Sequence, residues 1–546
     1  MQCNDVGGDA TGIAMLAGSM TAAPPVPPSS PVRDLLAFLP RQDRHKPKCT
    51  PVRPSKVSRK RAYVLIGVHV LIGLHIWHWL ATGSSLTPVE PSEAKQTLEE
   101  GRINAGFVLF LCLIASTLVF GRFFCGWACH VVALQDLAAW ALGKLGLKPR
   151  PLRSRLLVFA PFVVAIHMFV WPSIRHWFGQ PPLPASNWEW HMTTNELWAS
   201  FPGPLMGVLT FVVVGFLIVW WLGAKGFCTH GCPYGAFFAL ADRLAPVRIK
   251  VTDACDACGH CTSVCTSNVR VHEEVAKHGQ IVDPGCMKCL DCVSVCPKQA
   301  LYVGFALPKP FAVSQQRIQA RSDFTWLEEL VVAVLAFVAA ELTFRGAWFG
   351  EGVPLLMAVG LGVITAVLAL LWWRLLRRRE VTFQHTPLRR NGKLTGAGLG
   401  AFVVLSAWLL FTAQTFVAQR YKASTIAQVL AARGDASPSQ LAAALASADR
   451  AHAWDAMDDP MVGEMRGLLL RRTGRHAEAE ASLLSSWQAQ GHLQLVESSL
   501  CLASYCMDRA RQNFDLAETL VRSVLRHHPQ NVPATQMLEA LQSRKK

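Results

Sequence analysis

The chain has 546 residues, of which 51% are apolar and only 16% charged, with 18 Trp and a formal net charge of +16. A soluble domain carries nearer a quarter charged residues, so this composition excludes a purely soluble protein and leaves room for several domains in and beside a membrane. The basic excess sits beside apolar runs, where topology and lipid headgroups account for it, and no nucleic-acid-binding signature accompanies it.

Residues 1–61 read as a disordered basic cytoplasmic tail. The run Ala23-Pro24-Pro25-Val26-Pro27-Pro28 is polyproline-like, and no basic n-region precedes an apolar core, so no cleaved signal peptide is expected. Cys3 and Cys49 have no partner spacing and are read as incidental.

Seven apolar runs are long enough to span a bilayer: Ala62–Leu80, Asn104–Phe120, Leu156–Trp171, Leu205–Leu222, Trp326–Phe344, Val353–Trp373 and Gly396–Phe416. The third is the shortest, and the Trp-rich stretch after Trp171-Pro172 reads as an interfacial belt. Basic clusters alternate with neutral or acidic loops. Residues 41–61 hold nine Lys/Arg against Asp43, and 144–155 hold Lys144, Lys148, Arg150, Arg153 and Arg155 with no acid. Residues 374–393 hold seven Lys/Arg against Glu380, whereas 82–103 hold Glu90, Glu93, Glu99 and Glu100 against Lys95 and Arg102. The positive-inside rule then predicts a cytoplasmic N-terminus, cytoplasmic basic loops and, after seven spans, a periplasmic C-terminal region in a bacterial inner membrane.

The first four spans, in residues 62–245, form an internal repeat. After the second span comes Gly121-Arg122-Phe123-Phe124-Cys125-Gly126-Trp127-Ala128-Cys129-His130, and after the fourth comes Gly226-Phe227-Cys228-Thr229-His230-Gly231-Cys232-Pro233. Each hairpin therefore ends in Phe-Cys-x3-Cys followed by an amphipathic stretch. Repeats of this kind can bring their ends together about a pseudo-twofold axis, which predicts Cys125, Cys129, Cys228 and Cys232 gathered at the cytoplasmic membrane face. Four such thiols suffice for a third iron–sulfur cluster; a redox-active dithiol pair and a transient metal site are the other readings. His130 and His230 are candidates to tune these sulfurs through hydrogen bonds. His69, His75, His78 and His167 lie inside spans, where polar residues tend to be functional. A pair such as His75 and His167 offers b-type haem ligands, a single one a quinone contact, and interfacial packing explains them equally well. Glu341 offers a proton carrier or a headgroup-level acid.

Residues 246–310 hold the most specific signal. Cys255-x2-Cys258-x2-Cys261-x3-Cys265 recurs as Cys286-x2-Cys289-x2-Cys292-x3-Cys296-Pro297. Three close cysteines with a trailing fourth suit a cubane cluster, and in the two-cluster arrangement the fourth cysteine crosses to the other cluster. This assigns Cys255, Cys258, Cys261 and Cys296 to one [4Fe–4S] cluster, and Cys286, Cys289, Cys292 and Cys265 to the other. Paired zinc sites, the alternative, usually show two separated C-x2-C pairs. The segment resembles bacterial-type ferredoxins, which implies two short hairpins and two short helices.

Two hairpins with paired Cys-x3-Cys motifs, followed by two ferredoxin runs, resemble the NapH/NosR-type membrane polyferredoxins over roughly residues 60–310. The resemblance implies electron transfer at the cytoplasmic membrane, linked to the quinone pool and often serving periplasmic nitrogen-oxide reductases. Two departures stand out. His130 replaces proline after the first motif, and no large flavin domain precedes the spans. Thr395-Gly396-Ala397-Gly398 lacks the last residue of a flavinylation motif, so no covalent flavin is expected.

Three further spans occupy 326–417, and an Ala/Leu-rich helical domain occupies 420–546. Within it Leu468–Leu483 and Phe514–Leu541 resemble tetratricopeptide repeats, which implies a docking surface for proteins. Cys501 and Cys506 share no helix face well, so a disulfide between them is not favoured. No motif supports a self-contained substrate reaction. The expected protein is mainly α: a polytopic membrane protein of about seven spans with an inserted α+β ferredoxin domain and a C-terminal helical repeat domain. Electron transfer between the quinone pool or a cytoplasmic donor and a respiratory partner is the reading adopted. A metal-centre maturation or redox-sensing factor, and a scaffold for respiratory complex assembly, are the alternatives.

Overall fold

The computed structural model describes residues 52–147, 149–150, 152–174, 188–312, 322–431, 436–489, 495–507, 513–528 and 530–545. The expected tail at 1–51 and most of the Trp-rich belt after Trp171 lie outside these residues. The chain divides into two compact units. The first joins residues 1–64, 117–127 and 242–319; the second holds 65–116, 128–241 and 320–546.

The first unit is built on a two-stranded antiparallel sheet, Val247–Val251 with Leu301–Phe305, in the register Val247↔Phe305 to Val251↔Leu301. Between the strands the chain makes two loops in the same way. Short helices His260–Ser263 and Asp291–Ser294 follow them. Positive φ angles fall at matching positions of the two halves: Ala257 with Lys288, Gly259 with Leu290, and Asn268 with Gln299. The duplicated cysteine spacing is thus a duplicated backbone path. A separate helix, Val271–His278, ends at Gly279 in the left-handed region and buries Val271 and Val275. With Ile249, Val269, Ile281 and Leu301 these form the small apolar core.

The second unit is nearly all helix. Helix occupies each of the seven apolar runs, and among the described residues four helices are long and apolar enough to cross a membrane: Lys56–Thr82, Pro204–Leu222, Leu355–Arg377 and Gly396–Leu430. Ala105–Phe120 is shorter, and two runs are interrupted by π-helical turns at Ile166–Val170 and Val338–Thr343. A further π-helical stretch, Phe211–Leu217, lies within Pro204–Leu222. Leu355–Arg377 is the central member, with Met357 through Leu368 buried side by side. Gly362 lets it approach closely, because a Cβ there would run into Ala336 O and Ala340. By contrast Tyr63, Ile66, Leu71 and Leu80 on the first helix are exposed, as an apolar surface facing lipid would be.

The last span does not stop at Phe416. One helix runs from Gly396 to Ala431, 36 residues, because no proline or glycine interrupts it past Gly400. At about 1.5 Å per residue it is longer than a bilayer core and carries the chain straight into the C-terminal helices. Lys422, buried on this helix, pairs with Asp459, which caps the helix Pro460–Arg472. There Pro460–Arg472 and His476–Ala489 form a helical hairpin about Gly474 (φ +79°), and Phe514–His527 packs against Val532–Lys545.

Candidate functional site

The duplicated loops enclose two cavities. One is bounded by Cys255, Cys258, Cys261 and Cys296 together with His260 and His272. The other is bounded by Cys265, Cys286, Cys289 and Cys292 among Ile249, Val269, Ile281 and Met287. The trailing cysteine of each run lines the cavity of the other run. Among the described residues no three or more His, Cys, Asp or Glu side chains converge to hold a metal ion. Thiols spread around a cavity suit a multi-atom cluster better than one zinc ion, which needs donors about 2.3 Å from one point.

The thiols themselves favour a cationic guest. Burial pushes Cys261 up to about 12, and the neighbouring sulfurs of Cys258 and Cys255 push the same way. Burial pushes Cys289 up to about 12 as well, with Asp291 adding to the effect. Cys258, Cys265, Cys286 and Cys292 are raised for the same first reason. Four thiolates in one small space repel each other and lack water, so they ionise only beside strong positive charge. This donor set fits an iron–sulfur cluster in each cavity.

The second cavity is the more elaborately supported. Lys288, between Cys286 and Cys289, is 3% exposed, and its Nζ donates to Asp242 Oδ1 at 2.6 Å. Arg248 Nη1 donates to Asp242 Oδ2 at 2.8 Å, and its Nη2 donates to the Asp242 carbonyl. The Arg122 N–H reaches the same carboxylate at 3.2 Å, while Arg122 Nη1 donates to Pro284 O at 2.8 Å. Trp127 Nε1 donates to Lys288 O at 3.1 Å, and Gly126 packs so closely that a Cβ would run into Met287 O. The segment Thr117–Trp127, which carries Cys125, is therefore clamped onto the second loop within the first unit. On its other side Asp291 accepts from Ser55 Oγ at 2.6 Å and pairs with Arg61 at 3.6 Å.

The remaining repeat cysteines, Cys129, Cys228 and Cys232, belong to the second unit. Cys129 precedes the helix His130–Lys144 as its N-cap, and Cys232 precedes Pro233–Asp242, where its Sγ accepts from Gly235 N at 3.4 Å. Helix N-termini favour thiolate over thiol. Cys228 Sγ donates to Gln135 Oε1 at 3.8 Å, and Gln135 is fully buried. Lys225, 1% exposed, pairs with Asp136 one residue further on.

The residues beside Cys129 and Cys232 have partners within the second unit. His130 Nε2 stands 4.0 Å from Glu90, in the loop that precedes Ala105–Phe120. The Tyr234 ring packs on Phe110, early in that helix, and on Phe169. The helices that begin after Cys129 and after Cys232 thus pack near the start of Ala105–Phe120.

The histidines find other partners than expected. His75 Nε2 meets Leu86 O at 3.0 Å, and His167 Nε2 meets Glu341 at 3.6 Å, so neither Nε2 is turned to the other. His69 Nδ1 meets Leu65 O at 2.8 Å, and His78 Nδ1 meets Ser85 Oγ at 3.3 Å. His230 is buried, and desolvation lowers its pKa to about 4, leaving it neutral. Gln135 lies against the Cys228 sulfur. The sequence marks Gln135 only as one polar residue in an apolar stretch, and it marks Asp242 and Arg248 not at all. Cys501, buried, accepts from Arg471 Nη1 at 2.7 Å, and neither it nor Cys506 is in a disulfide.

A family model described as a 4Fe-4S binding domain matches residues 105–148 and 205–252. Both matches fall on the hairpin repeats, each including one Cys-x3-Cys pair. A putative electron transport protein, YccM, of Escherichia coli is 26% identical over 52% of this chain and 84% of its own length. The methylamine utilization ferredoxin-type protein MauN of Methylobacillus flagellatus is 29% identical over 34% of this chain and 63% of its own. The ferredoxin-type protein NapH of Haemophilus influenzae is 27% identical over 35% of this chain and 63% of its own. The chain thus spans somewhat less than two thirds of the latter two. No solved structure matches. These relatives and the repeat match together bear out the NapH-type resemblance, and with it an iron–sulfur electron-transfer role in a membrane protein.

Proposed function

We propose that this ferredoxin-type membrane protein of the NapH kind passes electrons between a carrier on the cytoplasmic side and a respiratory partner reached through the membrane. The observation that carries this is the pair of four-cysteine cavities, one of them clamped to the segment that holds Cys125. Cys255, Cys258, Cys261 and Cys296 would hold one [4Fe–4S] cluster, and Cys265, Cys286, Cys289 and Cys292 the other. Such clusters supply one-electron transfer without proton or bond changes. The protein's own part is to bury the sulfurs, fix their spacing and place charge near them.

Cys125, Cys129, Cys228 and Cys232 would hold a third redox group between the ferredoxin pair and the membrane interior. The match of a 4Fe-4S binding domain to both hairpins supports this over a dithiol pair or transient metal site. Basic loops at 144–155 and 374–393 support a cytoplasmic ferredoxin domain, and seven spans would then put the helices after Ala431 in the periplasm, as a docking module for a partner. Quinol is the proposed membrane-side reactant. Membranes containing the protein should show bleaching of iron–sulfur absorbance on adding a reduced quinone under anaerobic conditions. Failure of any quinol to reduce the clusters, while dithionite reduces them, would move the membrane partner from quinone to a protein.

A further inference from the structure

The two loops share a backbone but not a charge. Where the first has Asp256-Ala257, the second has Met287-Lys288, and Ala257 and Lys288 both sit at positive φ, +54° and +49°. A lysine is strained there, and nothing about the turn asks for one. Lys288 is buried against Asp242, which it shares with Arg248, so one buried carboxylate faces two buried cations. Asp291 does not cancel the excess, because it is matched by Arg61. The first loop carries an exposed acid instead, Asp256, whose Oδ1 accepts from Cys258 N at 3.3 Å. Neither cavity is lined by Lys or Arg, so the difference lies in the second loop itself, where buried Lys288 meets Asp242.

We propose that Lys288 is a potential-setting residue: its charge, held over the second loop by Asp242, favours an electron on the cluster of Cys265, Cys286, Cys289 and Cys292 over one on the cluster of Cys255, Cys258, Cys261 and Cys296. The inference rests on the proposed iron–sulfur reading of both cavities. An added electron makes a thiolate-ligated cluster more negative, so a nearby cation stabilises the reduced form. Water screens Asp256, while little screens Lys288. Burial of Cys286, Cys289 and Cys292 works in the opposite direction, and the buried cation offsets it. When one electron is shared by the pair, the first site is oxidised by one and the second reduced by one. No proton or bond change is required. The electron then rests on the site clamped to the Cys125 segment through Trp127, Gly126 and Arg122.

The test is a redox titration followed by electron paramagnetic resonance on the full chain in detergent, comparing the unchanged protein with Lys288→Met, Lys288→Gln and Lys288→Arg. Cys258→Ser and Cys289→Ser assign each signal to its site. In the unchanged protein the Cys286 site should be reduced first. Lys288→Met should shift the distribution about tenfold toward the first site, which is about 59 mV for one electron. Lys288→Gln should do the same, Lys288→Arg should restore the original order, and the potential of the first site should stay put. Iron and sulfide are measured on each variant. Full clusters with no selective shift in either charge-removing variant would overturn this proposal alone. Absence of clusters in the unchanged protein would overturn the reading beneath it.

Discussion

The eight cysteines of residues 255–296 and the four of the hairpin repeats are distributed in opposite ways. The first set is written on one short duplicated loop, so four thiols close each cavity within a single unit. The second set is split: Cys125 belongs to the unit with the ferredoxin loops, and Cys129, Cys228 and Cys232 belong to the other. The lesson is that local spacing determines a site when its ligands are neighbours in sequence. Where ligands come from separate hairpins, the packing of membrane helices decides.

Five substitutions break or sharpen that contrast, beginning with the largest effect. Cys289→Ser should cost the second cavity its cluster, about four irons per chain by chemical analysis, and leave the first. Cys296→Ser should instead damage the first cavity, because that is the cavity it lines. Loss of the second cluster on changing Cys296 would refute the crossed pairing.

Next comes Asp242→Asn, which leaves Lys288 and Arg248 buried without their carboxylate. Removing one partner of a buried pair costs about 3–5 kcal/mol, so thermal loss of cluster absorbance should occur at clearly lower temperature. An unchanged midpoint would show that this network does not hold the ferredoxin unit together. The parallel change in the other unit is Asp136→Asn beside Lys225, where one partner is partly exposed and the loss should be smaller, about 2–3 kcal/mol in a detergent melt. If it matches or exceeds the first, the repeat region depends on polar pairs more than the ferredoxin region does.

The smallest effect concerns Glu464, far from either cysteine set. Burial raises its pKa, with Glu497 adding, although Ser498 N donates to it at 3.0 Å. A raised carboxylate pKa means the folded state holds the proton more tightly than the unfolded chain. Its contribution to stability is present below the unfolded value and is lost as pH rises through the folded value. Glu464→Gln should therefore stabilise the C-terminal helices slightly at pH 7, and the gain should vanish once the pH falls below the ordinary carboxylate range. A gain that persists at low pH would assign the effect to packing.

Much of this molecule is legible in its sequence, for identifiable reasons. The cavity-lining cysteines follow from a spacing repeated over a few turns of chain, and the apolar runs announce helices, four of them long enough among the described residues to cross a membrane. The partners of His130 and Tyr234 were not legible, since Glu90 and Phe110 lie far from them in sequence. Nor was the continuous helix through Phe416, where apolar span and polar extension differ in composition but not in helix propensity. The Asp242 network escaped notice because Arg122, Asp242, Arg248 and Lys288 are distant in sequence and individually ordinary.

The measurement that tests the account most directly is iron and acid-labile sulfide per chain on anaerobically purified protein, repeated on Cys125→Ser and Cys228→Ser. The account predicts about twelve irons, falling toward eight in each variant with the ferredoxin signals kept. About eight irons, unchanged in the variants, would contradict a redox cluster at the hairpins, and iron near zero would contradict electron transfer by this chain altogether.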